Sequence, residues 1–108
     1  KLAACLELHT FSSLNKKFLS LYKHTMKVAD IAVVYYNPHT VKMKKLPAIG
    51  PGYIKNAFAQ DNLKIFTDSK LMIKELLDID WADKNLLLMS SGNFNNLDFH
   101  EFSEMIIK

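Results

Sequence analysis

Four short apolar runs, each followed by a stretch of mixed polarity, constrain this chain more than any other feature of its sequence. They cover residues 2–8, apolar except for Glu7 at the exit, 31–36, 63–66, interrupted by Lys64, and 86–89. Their length suits strands rather than helices, and an uninterrupted apolar run predicts a strand covered on both faces. Between and after them, apolar residues recur at helical spacing: Leu14, Phe18, Leu21, Tyr22 and Met26; then Tyr53, Ile54, Ala57 and Phe58; then Met72, Ile73, Leu76 and Leu77; finally Phe99, Phe102 and Ile106. Ser12 or Ser13 is placed to cap the first of these helices and Asp68 or Ser69 the third, while Asp98 opens the last. The stretch from Asn37 to Gly52 has no clear periodicity. Its prolines and glycines read as a loop entering the short second helix. A strand–helix alternation repeated four times predicts an α/β fold. The expected form is a three-layer, Rossmann-like open sheet, mainly parallel, with right-handed crossovers and helices on both faces.

At 108 residues, 49% of them hydrophobic, the chain is long enough for one domain with its own core and too short for two. The net charge of +3 comes from lysines spread over several segments, with no arginine, so the expected partners include neither nucleic acid nor membrane. Cys5 is the only cysteine and lies inside an apolar run, which fits a reducing compartment. No run approaches the ~20 residues of a membrane span, and the N-terminus has no signal-peptide core, so the expected location is cytoplasmic. The first strand starts at once, with no lead-in, as in a piece of a longer protein.

In open α/β sheets ligands bind outside the carboxyl ends of the strands. Two loops there are rich in small hydrogen-bonding residues and precede helices: His9 to Ser13, and Ser90 to Asn96. Exposed amides at a helix start favour an anionic group such as a carboxylate. Ser, Asn and Gly are also ordinary turn and capping residues, and His9 is read equally as a substrate-facing group or as a surface histidine. Other chemistries find less support. The four histidines show no metal-ligand spacing, and no serine sits in a Gly-x-Ser-x-Gly elbow. Both the dinucleotide fingerprint Gly-x-Gly-x-x-Gly and the phosphate loop Gly-x-x-x-x-Gly-Lys-Ser/Thr are absent.

Three segments taken in order carry a family resemblance. They are Glu7-Leu8-His9-Thr10-Phe11-Ser12-Ser13-Leu14-Asn15, Ala29 to Tyr36, and Leu88-Met89-Ser90-Ser91-Gly92-Asn93-Phe94. Together they resemble the C-terminal domain of the muramyl ligases, over residues 2 to 106. That resemblance implies an ATP-dependent carboxylate–amine ligase of bacterial peptidoglycan synthesis or recycling, joining UDP-N-acetylmuramate to an amino acid or peptide. The murein tripeptide is the favoured amine, and L-alanine the alternative. Residues 1–108 would then be the substrate-binding C-terminal domain, without its first strand and helix. The resemblance further implies that His9, Thr10, Ser12, Ser13, Ser90, Gly92 and Asn93 face the incoming amine substrate. It places no catalytic residue in this segment, and puts ATP and Mg²⁺ mainly on the N-terminal and central domains of the same chain. Thr10 and Ser13 stand where L-alanine-adding relatives carry basic residues, and His9 where tripeptide-adding relatives carry an arginine, so the carboxylate clamp differs from both. A free-standing flavodoxin-like binding module is the competing expectation.

Overall fold

The computed structural model describes residues 1–9, 19, 22–60, 62–90, 94 and 97–107. In chain order these form β1 (Leu2–Glu7), β2 (Ile31–Tyr35), α1 (Pro38–Met43), α2 (Pro51–Phe58), β3 (Leu63–Phe66), α3 (Ser69–Leu77), β4 (Asn85–Met89) and α4 (Phe99–Ile107). Leu19, also helical, is fully buried.

All four strands are parallel, in the order β3-β2-β1-β4. Being central, β1 and β2 have both faces covered, and their apolar runs are accordingly buried from Ala3 to Cys5 and from Ala32 to Tyr35. Alternate side chains feed two cores, because successive residues of a strand point to opposite faces. On one face Ala4, Ala32, Val34 and Leu63 pack with Leu19, Val41 of α1, and Ile54 and Phe58 of α2. On the other, Cys5, Val33 and Tyr35 pack with Met72 and Leu76 of α3 and Phe102 of α4. The result is a three-layer, Rossmann-like α/β arrangement. Among the described residues no helix is long and apolar enough to cross a membrane.

Three expectations need correction. The run at residues 86–89 does not form a strand covered on both faces. β4 pairs with β1 alone at the margin of the described sheet, leaving Leu87 45% exposed, because an apolar run does not reveal whether a strand is central. Leu14, Phe18 and Leu21 of the first expected helix lie outside the described residues, and the chain is not helical at Met26. From Tyr22 the chain makes tight turns, with Thr25 N donating to Tyr22 O and Ala29 N to Met26 O, around a left-handed His24 at φ 66°. Finally, the segment after Asn37 contains a helix, α1. Asn37 caps it by accepting from His39 N at 2.9 Å, and Pro38 occupies its first turn, where a missing N–H costs nothing. One buried residue, Val41, left no apolar period to read.

The other caps follow the sequence. Asp68 accepts from Lys70 N at the start of α3, and Asp98 from Glu101 N at the start of α4. At the far end of α3, Trp81 Nε1 donates to the Leu76 carbonyl at 2.8 Å, satisfying one of the last acceptors of the helix.

Candidate functional site

From β1 the chain builds outward through β2 to β3, then returns past β1 to lay down β4 on the other side. The order therefore reverses between β1 and β4. In open α/β sheets the crevice at the carboxyl ends of two such strands is where ligands bind, since the loops leaving them diverge to opposite faces.

The register brings those two exits side by side. Leu6 lies opposite Met89, so the next residues along the two strands, Glu7 and Ser90, meet at the rim. Glu7 is only 6% exposed. Its Oε1 accepts from Ser90 Oγ at 2.5 Å and from Phe94 N at 2.9 Å, tying the end of β1 to two points of the loop after β4. Hydrogen bonds of this kind are what make a buried carboxylate tolerable, since an unpaired one carries a large desolvation cost. No lysine or histidine forms an ion pair with Glu7 among the described residues.

Phe94 is the second unusual member of the site. Its φ of 53° lies in the left-handed region, which a bulky side chain adopts only under constraint. Two contacts supply that constraint: the Phe94 amide is held by Glu7, and its ring is buried against Tyr35 and Phe99, with centroids 6.4 and 6.2 Å away. Glu7 also sets the local electrostatics. Burial, helped by the nearby negative charge of Glu7, pushes the Cys5 thiol from an ordinary 9.0 up to about 12. The Tyr35 hydroxyl is likewise raised, first by burial and then by Glu7, with a hydrogen bond to the Ser69 side chain acting the other way. Cys5 is thus a protonated core residue and no nucleophile, its Sγ 3.6 Å from the Met72 sulfur.

Of the residues singled out in the sequence, His9 and Ser90 belong to this place. Leu8 N donates to Tyr35 O at 2.9 Å, continuing the β1–β2 pairing, and leaves the half-buried His9 as the first residue beyond it. Ser90 is exposed at the end of β4. Thr10, Ser12, Ser13, Gly92 and Asn93 lie outside the described residues. Glu7 is the member of this rim that the sequence did not single out. Its signal was a lone charged side chain closing an apolar strand, which reads as the strand's exit into solvent when it is in fact turned into the sheet.

Next to this rim, beyond the end of β2, a cavity of about 270 Å³ opens among Tyr36, Val41, Leu46 and Ile49, with Lys42 at its edge. Tyr36 Oη donates to Ile49 O at 2.6 Å and holds the loop that walls it. Among the described residues no three His, Cys, Asp or Glu side chains come together as metal ligands, and no glycine-rich turn cradles a phosphate. The described residues therefore do not fit ATP or Mg²⁺. What the rim offers is hydrogen-bonding groups at strand ends, backed by a four-stranded parallel sheet. Comparison with protein-family models, curated proteins and solved structures finds no match to this chain.

Proposed function

We propose that this chain is the substrate-presenting C-terminal domain of an ATP-dependent carboxylate–amine ligase of the muramyl-ligase type. It receives an amine-bearing amino acid or peptide at the rim between β1 and β4, with the murein tripeptide favoured over L-alanine, for joining to UDP-N-acetylmuramate. The N-terminal and central domains that bind the nucleotide, Mg²⁺ and the acyl donor would lie outside this segment.

The observation that carries this reading is the meeting of Glu7, Ser90 and Phe94 at the strand-order reversal. Glu7 and Ser90 belong to two of the three segments that carry the resemblance, and are far apart in the sequence yet meet at the end of the sheet where such folds hold ligands. Presentation alone is a substantial contribution to catalysis. Fixing an amine against an activated carboxyl group, with water excluded, lowers the barrier by roughly 7 to 11 kcal/mol in favourable cases.

The test is a titration of the ¹⁵N-labelled chain. Tripeptide at millimolar concentration should shift the amides of His9, Ser90 and Phe94 saturably, and L-alanine should do so less, whereas Mg²⁺·ATP should leave them in place. Tight binding of Mg²⁺·ATP, or no response of this rim to either amine, would defeat the proposal.

A further inference from the structure

We infer that Glu7 is a positioning residue, whose buried carboxylate sets Ser90 and Phe94 for ligand binding by gripping the two together at the end of β1. The inference rests on the ligase reading only for the identity of the ligand; the grip itself is a property of the fold.

Three observations converge on it. A single oxygen, Oε1, takes both hydrogen bonds, from residues 83 and 87 positions away in the chain, so the grip joins two segments that nothing local would bring together. Ser90 and Phe94 are thereby fixed to the same atom at the end of β1, the strand that pairs with β4. Moreover, one of those pins is Phe94, whose left-handed backbone is a higher-energy state for a bulky residue and persists only if its surroundings hold it. The Glu7 bond to the Phe94 amide supplies that hold directly, while stacking on Tyr35, the register partner of Glu7, supplies it from the other side.

A carboxylate suits the task better than a neutral acceptor. Its charge strengthens both bonds, and at the Phe94 amide burial excludes the water that would otherwise compete for the donor. Ser90 would accordingly be oriented by Glu7 rather than free to rotate, and the rim would meet an incoming substrate already set, without an ordering cost at the moment of binding.

The experiment compares the wild-type chain with Glu7→Ala and Glu7→Gln. In wild type the Phe94 amide should resonate downfield and exchange slowly. In Glu7→Ala its protection should collapse while that of Val33 and Val34, in the central strand, persists, and the dissociation constant for the tripeptide should rise about tenfold or more, as for loss of hydrogen bonds to a charged group. Glu7→Gln keeps an acceptor of the same reach, and should bring both the Phe94 amide and the affinity most of the way back. Loss of protection at Phe94 in step with Val33 and Val34 would mean that Glu7 merely stabilises the domain, and would overturn the inference. Unchanged tripeptide affinity in a folded Glu7→Ala would do the same. If neither tripeptide nor L-alanine binds wild type, the ligase reading fails, and the Phe94 amide in the two variants still decides for or against the grip.

Discussion

Cys5 ties the protonation behaviour of this domain to its architecture. The thiol is fully buried in β1, one of the two interior strands, and its pKa of about 12 in the fold compares with an ordinary 9.0. Raised pKa means that between those two values the folded chain keeps a proton the unfolded chain has lost. Stability from this group is thus complete below about pH 9 and drains away as pH rises towards 12. One proton of difference corresponds to roughly 1 kcal/mol per pH unit, so by about pH 10 the loss relative to about pH 8 should be about 1 kcal/mol. Urea denaturation at the two pH values reads it directly: with the slope usual for a small domain, the midpoint should fall by about half a molar. Tyr35 and Tyr36, whose hydroxyls are also raised by burial, add to the wild-type loss at higher pH. Cys5→Ala isolates the thiol. The variant starts less stable, having lost a buried sulfur, but retains both tyrosines, so its midpoint should fall less than that of wild type over the same interval. Parallel declines in the two proteins would refute the placement of Cys5 in the dry centre of the sheet. Reaction of the native thiol with a small alkylating reagent at neutral pH would refute it equally.

Further expectations concern the rim, the caps and the sheet margin. His9→Ala should weaken tripeptide binding about tenfold by titration calorimetry, the equivalent of one charge-assisted hydrogen bond, while leaving the thermal midpoint nearly unchanged. Asn37→Ala and Asp68→Ala each remove a side-chain cap from a helix start and should each cost about 1 kcal/mol, lowering the thermal midpoint by about 4 to 8 °C in calorimetry. The half-exposed Leu87 on a marginal strand should make the isolated chain associate with itself, and Leu87→Lys should restore monomeric behaviour in sedimentation velocity; a wild-type monomer at high concentration would count against this.

The class of fold was legible because strand runs and helical periods are local signals with distinct spacing, and the strands together with the periods at Tyr53–Phe58, Met72–Leu77 and Phe99–Ile106 appear at the elements they predict. What was not legible depends on partners distant in the chain. Leu86 to Met89 reads as apolar in any position of a sheet, and only the order β3-β2-β1-β4 makes it a margin. In α1 one core contact, Val41, is too few to mark a period, although Asn37-Pro38 was a readable start signal: a capping side chain followed by a residue that needs no donor. Helical structure yields to turns at Tyr22, where His24 takes a left-handed backbone and donates to the Phe58 carbonyl 2.9 Å away, a long-range bond that no local pattern announces.

The site divides along the same line. His9 and Ser90 could be singled out because a strand end is locally recognisable, and parallel strands place all such ends at one edge of the sheet. Glu7 could not, since its role arises from pairing across more than 80 residues: β1 must lie beside β4, in the register that sets Leu6 opposite Met89, before Glu7 can reach Ser90 and Phe94. A charged residue at the end of an apolar strand has two physical outcomes, solvation at the exit or burial against donors from another strand's loop. With an isolated buried carboxylate so costly, the second outcome requires the fold to supply those donors at a fixed place. Here it supplies them at the reversal of strand order, from Ser90 and Phe94. The strand order that sets β1 beside β4 is therefore also what makes Glu7 a buried, hydrogen-bonded residue.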